Sequence, residues 1–339
     1  MKKLLLVLVV LLMVSAFVVG CAQTEEPVVE PTPTVDTRSA NQILQDGKPF
    51  RFLSCNKQHP VVRTMAAGFW AACKDFEVDC VDNSFDGVDF TLMVPQVDMA
   101  INQGSSGVIP FTDKAVLEQD MRLVEAGIPS ISIHVAISDE DYPGYLGWVA
   151  ADSVDYAQRA AIALGEKLEG KGTIAITQGS LNDLENVVSE AFTATINENF
   201  PDIVVLEPQV EGFDQPSAIS AVTAIVTAHP EITGAFGTTG NSAITWAKAL
   251  EQLGFEKGAV AIIGMDYTRQ NLDLVKDGSV YALVGQPLFE EVYEAVRLLV
   301  ENMNGKEVPY ANIYPAPIIT IAELDTYYEY ADMVDASGE

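Results

Sequence analysis

An aspartate at the end of an apolar run is the residue best placed for binding chemistry. Residues 260–264 are apolar or glycine, Met265 and Asp266 follow them, and a helical pattern covers 271–276. A short apolar run beside helical patterns is typical of a parallel strand in an α/β sheet. Ligands bind outside the carboxyl ends of such strands, so Asp266 could bind one there. It could instead cap the next helix, because aspartate is a good N-cap residue.

The histidines do not support a catalytic or metal site. His59 and His134 both follow predicted strands, but a zinc site between them would lack a matched third ligand. His229 lies in a Thr-Ala-His-Pro turn and is interpreted as structural. No nucleophile elbow, zinc-protease motif or glycine-rich nucleotide fingerprint is found in the sequence. We therefore predict a protein that is not an enzyme and that needs no cofactor or metal.

The charge of the chain argues against two kinds of partner. Its 48 acidic and 19 basic residues give a formal net charge of −29. Nucleic acids are bound by clustered lysine and arginine, and anionic membrane surfaces attract polybasic segments. We expect neither interaction. An acidic, solvated surface is the simpler interpretation, and such charge bears on solubility and not on fold.

The first residues are typical of an export signal. Two lysines precede an apolar run over 4–14, which is shorter than the ~20 residues of a comfortable transmembrane helix. Residues 18–21, Val-Val-Gly-Cys, resemble the bacterial lipobox, where the signal is cut before a cysteine that is then lipidated. We predict a signal peptide over 1–20, a lipidated Cys21 and an extracytoplasmic body anchored to the cell membrane. An ordinary secretory signal or an uncleaved anchor would also place the body outside the cytoplasm.

The segment 21–48 is predicted to be a disordered linker behind the lipidated cysteine. It is polar, punctuated by proline, and has no hydrophobic period. A flexible chain of this length spans roughly 30 Å and would hold a folded body away from a membrane.

Three cysteines remain once Cys21 is assigned to lipid. Cys55, Cys73 and Cys80 are an odd number, which allows at most one intrachain bridge in an exported protein. None has metal-ligand spacing with a histidine. Buried thiols are one interpretation, and a Cys73–Cys80 bridge is the other.

Strand and helix patterns alternate from position 50 onward. Strands are predicted over 51–55, 78–81, 107–109, 128–133, 145–150, 172–177, 203–206, 234–236, 260–264 and 280–284. Helices are predicted between them, over 61–76, 90–102, 115–126, 154–168, 184–199, 218–228, 243–253 and, last, 289–303. This repeated order predicts an α/β protein with two doubly wound parallel sheets.

Six short segments occur in a fixed order behind the lipobox. They are Val-Ile-Pro-Phe-Thr-Asp (108–113), Gly-Ile-Pro (127–129), Ala-Ala-Asp-Ser (150–153), Thr-Ala-His-Pro-Glu (227–231), Ile-Gly-Met-Asp (263–266) and Ala-Leu-Val-Gly-Gln (282–286). In this order and at these intervals they resemble the ribose- and galactose-type solute-binding proteins of bacterial ABC transporters. The resemblance covers 50–321.

The resemblance implies a type I periplasmic binding protein fold, in which the chain crosses a hinge between two lobes three times. The crossings would lie near Ala151, Gln286 and Tyr314. The implied lobes are 50–150 plus 287–313, and 151–286 plus 314–333. A sugar would bind between the lobes, which close about the hinge, and the closed form would deliver it to a membrane permease. We expect a monomer.

The resemblance also implies ligand-binding residues at the strand ends of both lobes. They are Asn56, His59, Phe111 and His134 in the first lobe, and Asn186, Phe213, Thr239, Asn241, Asp266 and the hinge residue Gln286 in the second. Amides and carboxylates would bond sugar hydroxyls, and aromatic faces would cover the apolar side of a ring. Two structural alternatives stay open: His59 could enter a helix, and Phe111 could pack beneath one.

The departures from the family pattern bear on the ligand. Val135 and Asn186 stand where relatives have arginines, and His134 replaces an acidic residue. Without those arginines, Asp266 must be satisfied by hydroxyl or N–H donors. We therefore predict a neutral sugar or polyol and consider a cationic or nucleoside-like ligand second. A sensory protein that presents its ligand to a chemoreceptor or sensor kinase is the functional alternative, because its pocket would have the same chemistry.

Overall fold

Short apolar strands and amphipathic helices alternate along most of the chain in the computed structural model, which describes residues 37–87, 90–112 and 116–337. The predicted signal peptide, the lipidated Cys21 and the linker up to 36 lie outside the described residues. Ser39–Glu339 forms one folded body. Among the described residues, no helix has the length and apolarity needed to cross a bilayer.

The helices and strands closely follow the alternation expected from the sequence. In chain order they begin with α1 (Ala40–Gln45), β1 (Phe50–Leu53), α2 (Pro60–Asp75), β2 (Cys80–Asp82), α3 (Val94–Gln103), β3 (Gly107–Pro110), α4 (Leu117–Glu125), β4 (Ile131–Ile133) and β5 (Gly147–Ala151). The next are α5 (Ser153–Lys167), β6 (Gly172–Gln178), α6 (Asp183–Asn199), β7 (Ile203–Val205), β8 (Gln209–Val210), α7 (Gln215–Ala228), β9 (Ile232–Gly237), α8 (Ser242–Gln252) and β10 (Ala261–Met265). The last are α9 (Arg269–Lys276), β11 (Ala282–Val284), α10 (Leu288–Met303), β12 (Ala311–Tyr314), β13 (Ile318–Ile319) and α11 (Leu324–Ser337).

The first lobe is built on parallel strands from both ends of the described chain. Strands β2, β1 and β3 pair in that order, and β12, β5 and β4 pair in a second group. A bridge between Val108 and Ser130 links the two groups. Helix α10 returns to this lobe and packs on α2 so closely that a Cβ on Gly68 would lie 2.2 Å from the carbonyl oxygen of Phe289. A glycine is required there for the helices to approach.

The second lobe is a larger sheet in the order β13-β11-β10-β9-β6-β7, with β8 paired to β6. All its pairs are parallel except β11 with β13. The strand predicted at 260–264 is β10, and both of its faces are buried, as expected for a central parallel strand. Phe192 and Phe236 stack with ring centroids 4.4 Å apart in the core beside it.

The prediction of a disordered linker through residue 48 is wrong for its last part. Ser39 and Gln42 form a capping box at the start of α1. The side chain of Gln45 is buried, donates to the carbonyl of Asp79 at 2.9 Å and accepts from the Asp79 N–H at 2.6 Å. These bonds satisfy backbone groups beside an edge strand, and that tie orders the segment.

Of the two interpretations of the cysteines, the bridge is present: Cys73 at the end of α2 is joined to Cys80 in β2. Cys55, two residues beyond β1, takes no part in this disulfide. The bridge fastens α2 to the edge strand of the first lobe. The bridge lies near the amino ends of β1 and β2, whereas Cys55 follows the carboxyl end of β1.

Candidate functional site

A cavity of about 420 Å³ lies where the carboxyl ends of strands from the two lobes face each other. This volume is in the usual range for small-molecule sites. Most of the residues predicted from the sequence line it: Asn56, His59, Phe111, His134, Phe213, Thr239, Asp266 and Gln286. Residues far apart in the chain therefore meet in one space, as expected for strand ends of two facing sheets.

The β1–α2 corner supplies Asn56 and His59 to the first wall. Asn56 has a positive φ of 53°, which asparagine tolerates better than most residues, and its N–H donates to the carbonyl of Gly87. The Nδ1 of His59 accepts from the Val61 N–H at 3.3 Å, so His59 caps α2 as well as lining the cavity. Burial lowers the pKa of His59, which favours the neutral ring.

Phe111 and His134 form the aromatic part of the same wall. Their ring centroids are 5.2 Å apart with an interplanar angle of 30°. Phe111 lines the cavity and also packs against the core of the first lobe. The Nδ1 of His134 lies 3.1 Å from Oε1 of Glu291, a fully buried carboxylate of α10.

Asp266 is the most unusual group of the second wall. It is 2% exposed, has a φ of 68°, and its Oδ1 makes no hydrogen bond within the described part of the chain. The capping interpretation is wrong, because Thr268 caps α9 by accepting from the Asn271 N–H. Burial raises the pKa of Asp266 to about 7, while the nearby His134 opposes this rise and Glu291 adds to it.

The backbone that presents Asp266 is fixed by one buried amide. Nδ2 of Asn271 donates to the carbonyls of Met265 at 2.9 Å, Asp266 at 3.1 Å and Gly240 at 2.8 Å. A Cβ on Gly240 would lie 2.6 Å from both Oδ2 of Asp266 and Cγ2 of Val61. Gly240 therefore brings the second lobe against the first directly beside the carboxylate.

Phe213 and Thr239 complete the predicted part of the second wall. The ring of Phe213 covers Gly179, where a Cβ would lie 2.4 Å from it, and the side chain is 43% exposed at the cavity mouth. The hydroxyl of Thr239 lies 3.2 Å from Oε1 of the buried Glu211. Burial raises the pKa of Glu211 to about 7, although hydrogen bonds from Ser242, Thr177 and Thr239 hold it down.

Two predicted residues lie outside the cavity lining. Oδ1 of Asn186 accepts from Nε2 of Gln178 at 3.3 Å. Asn241 directly precedes α8, and its carbonyl accepts from the Thr245 N–H. Ligand contact by these two residues stays a prediction.

The sequence reasoning missed Glu185 and Tyr156, which also line the cavity. Oε2 of Glu185 accepts from the Gly179 N–H at 2.6 Å and from the Thr238 hydroxyl at 2.6 Å, and its Oε1 accepts from Asn182 at 2.7 Å. The Asn-x-x-Glu spacing at the start of α6 is a capping signal that could have located Glu185. Tyr156 occupies a buried position of α5, and no sequence signal separates it from a core tyrosine.

The lining of the cavity contains carboxylates and imidazoles but, in the described residues, no lysine or arginine. Hydroxyls of Thr112, Thr238 and Thr239 and the amides of Asn56, Asn182 and Gln286 supply further polar groups. Rings from both walls supply apolar faces. Such a surface is chemically suited to an uncharged ligand rich in hydroxyls.

Comparison with known proteins gives consistent results. A family model described as a periplasmic binding protein domain matches residues 50–307. The xylitol-binding protein of Mycolicibacterium smegmatis is 24% identical over 256 residues, which are 75% of this chain and 72% of that protein.

Solved structures show the same fold. A periplasmic solute-binding protein of an ABC transporter from Actinobacillus succinogenes, with bound D-allose, has 21% identity and a TM-score of 0.76 over 83% of this chain and 100% of that one. A glucose-galactose binding protein from Geobacillus stearothermophilus has 22% identity and a TM-score of 0.73 over 80% and 97% of the two chains. The predicted α/β fold of type I periplasmic binding proteins is confirmed.

Proposed function

This chain belongs to the family of periplasmic binding protein domains, and from that premise we propose that it captures a neutral sugar or polyol for an ABC transporter. The observation that carries the proposal is Asp266: a fully buried carboxylate that lines the cavity and lacks a hydrogen-bond partner at Oδ1. A buried polar group of this kind needs a donor. A ligand hydroxyl is a donor that can enter the cavity.

The charge of the lining supports a neutral ligand. Glu185 and Asp266 are the carboxylates of the cavity lining, and no lysine or arginine among the described residues lines it. A phosphate or carboxylate group of a ligand would lie beside these carboxylates with no lysine or arginine to pair with it. The desolvation cost of burying its charge would therefore be uncompensated. The xylitol-binding relative, and further relatives that are import binding proteins for D-apiose and for ribose, are named for compounds that are uncharged and rich in hydroxyls.

The proposed mechanism is capture by closure of the lobes. We propose a hinge near Ala151, Gln286 and Tyr314. It would join one lobe formed by 50–150 and 287–313 to a second lobe formed by 151–286 and 314–333. In support, β12 pairs with β5 of the first lobe, whereas β13 pairs with β11 of the second. Ligand contacts both walls only in the closed form, so binding shifts the population toward it.

The proposal includes the cellular setting. A signal peptide over 1–20, a lipidated Cys21 and the tether that follows would keep a monomeric protein on the outer face of the cytoplasmic membrane or in the periplasm. There the closed form would dock on a membrane permease. The support for this part is the sequence of 18–21 and the family of the folded body.

A thermal-shift screen tests the proposal. A ligand that binds only the folded protein raises its Tm. We expect at least one compound among xylitol, D-ribose, D-apiose and D-allose to raise the Tm, and the corresponding sugar phosphates to leave it unchanged. A screen in which only phosphorylated or carboxylated compounds raise the Tm would contradict the proposal.

A further inference from the structure

Behind the aromatic wall lies a buried carboxylate that the proposed function does not use. Glu291 of α10 is 0% exposed, its Oε1 lies 3.1 Å from Nδ1 of His134, and its Oε2 has no hydrogen-bond partner in the described structure. His134 has a side-chain exposure of 11% and lines the cavity. Its ring is also held by Phe111. The imidazole is therefore fixed in position and tied to a carboxylate at one nitrogen.

The protonation state of Nε2 of His134 determines whether a ligand finds a hydrogen-bond donor or an acceptor there. With Nδ1–H bonded to Glu291, neutral His134 has a hydrogen-bond acceptor at Nε2, whereas protonated His134 has a donor there. Partner carboxylates commonly fix the tautomer and orientation of a histidine in this way. One proton therefore converts this point of the wall from acceptor to donor.

The surroundings of His134 favour the proton. Burial acts to lower the pKa of His134, but the charge and hydrogen bond of Glu291 and the charge of Asp266 raise it above its ordinary value. Burial raises the pKa of Glu291, while His134 lowers it and Glu290, its neighbour on α10, adds to the rise. No lysine or arginine in the described residues lines the cavity, and its two imidazoles are His59 and His134. Burial lowers the pKa of His59, which therefore favours the neutral ring, so His134 is the lining imidazole whose surroundings favour a proton.

We propose that Glu291 is a positioning residue that holds His134 as a protonated N–H donor across the cleft from Asp266, so that ligand capture requires this proton. The inference rests on the proposed function, because it assumes that the cleft is the ligand site. A hydroxyl would donate to Asp266 while a ligand oxygen accepts from Nε2 of His134. Because Glu291 balances the charge of protonated His134, the pair adds an N–H donor to the cleft without adding net positive charge.

The sign of the pH dependence follows from the two groups. Asp266 accepts best when ionised, and its pKa is about 7, so affinity falls as the pH drops below that value. A ligand oxygen at Nε2 favours protonated His134, so affinity also falls as the pH rises through the raised pKa of His134. Affinity is greatest near neutral pH and declines on both sides.

Histidine NMR tests the charge assignment without a ligand. The chain has 3 histidines, so ring ¹⁵N signals can be assigned by single substitutions. In the wild type, His134 should stay protonated above its ordinary value of 6.5. In Glu291→Gln the amide oxygen still accepts from Nδ1–H but the charge is gone, so His134 should titrate below 6.5 because burial now dominates.

Two internal controls accompany that titration. The ring of His229, which is exposed and pairs with Glu231, should give the same ¹⁵N signals in both proteins at a given pH. Glu294→Gln, on the same helix and paired with Arg297, should leave His134 unchanged. A wild-type His134 that is neutral at about pH 6, or one that titrates alike in wild type and Glu291→Gln, would overturn the proposal.

Calorimetry with xylitol and D-ribose tests the link to capture. The loss of affinity between about pH 7 and about pH 8 should be larger in Glu291→Gln than in wild type, by up to roughly tenfold. His134→Gln, whose amide donates at any pH, should remove the alkaline loss. Retention of that loss in His134→Gln would overturn the proposal even if Glu291→Gln failed to fold. If neither compound bound the wild type, the proposed function would be in doubt, while the NMR result would still decide the state of His134.

Discussion

Two carboxylates line the same cavity and are held in different ways: Glu185 at the start of α6, which follows β6, and Asp266, which follows β10. Glu185, beyond β6, accepts from Gly179, Asn182 and Thr238, all in its own lobe. Asp266, beyond β10, has an unpartnered Oδ1, and burial raises its pKa. A carboxylate whose acceptor capacity is used within its lobe stabilises the fold, whereas one left open is available to a ligand.

The largest effect that tests this difference is the loss of affinity in Asp266→Ala. Hydrogen bonds to a charged group contribute ~1.5–3 kcal/mol each, so losing even one should weaken binding of a neutral ligand roughly tenfold to hundredfold. Calorimetry would measure it. Asp277→Ala removes an exposed carboxylate paired with Lys257 and should leave the affinity unchanged. Similar affinities for wild type and Asp266→Ala would show that Asp266 does not contact ligand.

Glu185→Ala should reduce stability instead. Gly179, Asn182 and Thr238 would each lose an acceptor in or near the buried wall, and an unsatisfied buried donor costs about 1–3 kcal/mol. Urea unfolding of the ligand-free protein would measure the free energy of unfolding. Glu190→Ala, on the exposed face of the same helix, is the matched control. An unchanged free energy of unfolding in Glu185→Ala would remove the contrast with Asp266.

The pH dependence of stability sharpens the contrast further. The pKa of Asp266 is raised from 3.8 to about 7, so the stability linked to its protonated form is present below 3.8 and is lost as the pH rises through about 7. Asp266→Asn cannot titrate. We expect the ligand-free variant to match wild type near pH 4, to become progressively more stable than wild type as the pH rises to about 7, and to keep the full difference above that value, as measured by urea unfolding at each pH. A difference in the free energy of unfolding that stays constant across this pH range would mean that burial does not disfavour the ionised form of Asp266.

Asn186→Ala should have the smallest effect. Its side chain accepts from Gln178 behind the wall, so affinity for a neutral sugar should change by less than about twofold. Calorimetry on Asn186→Ala beside Asp266→Ala provides the measurement. A large loss of affinity in Asn186→Ala would mean that the cavity wall differs from the one described.

The strands and most helices could be predicted because their patterns are local. The buried run at 260–264 and the amphipathic pattern at 154–168 correspond to β10 and α5 with shifts of one or two residues. Helix α1 was missed, because its order depends on bonds between Gln45 and Asp79, which are distant in the sequence. The Cys73–Cys80 bridge was one of two interpretations, because spacing alone does not show whether two thiols lie within bonding distance.

The site could be predicted at strand ends but not on helices. Asp266 and Phe111 directly follow strands, and the carboxyl ends of parallel strands meet at one edge. On α6 the family pattern indicated Asn186, but Glu185 lines the cavity. Neighbouring residues of a helix point about 100° apart, so an error of one position selects a different face. The partnership of His134 with Glu291 joins residues 157 positions apart, which no local pattern reveals.

We propose that the unpartnered Oδ1 of Asp266 binds an uncharged ligand, and paired calorimetric titrations are the most direct test. Purified protein would be titrated with the neutral sugar or polyol that raises its Tm most, and then with the phosphate ester of the same compound. We expect the neutral compound to bind the wild type and not Asp266→Ala, and we expect the ester not to bind. Tighter binding of the ester than of its neutral parent would contradict it.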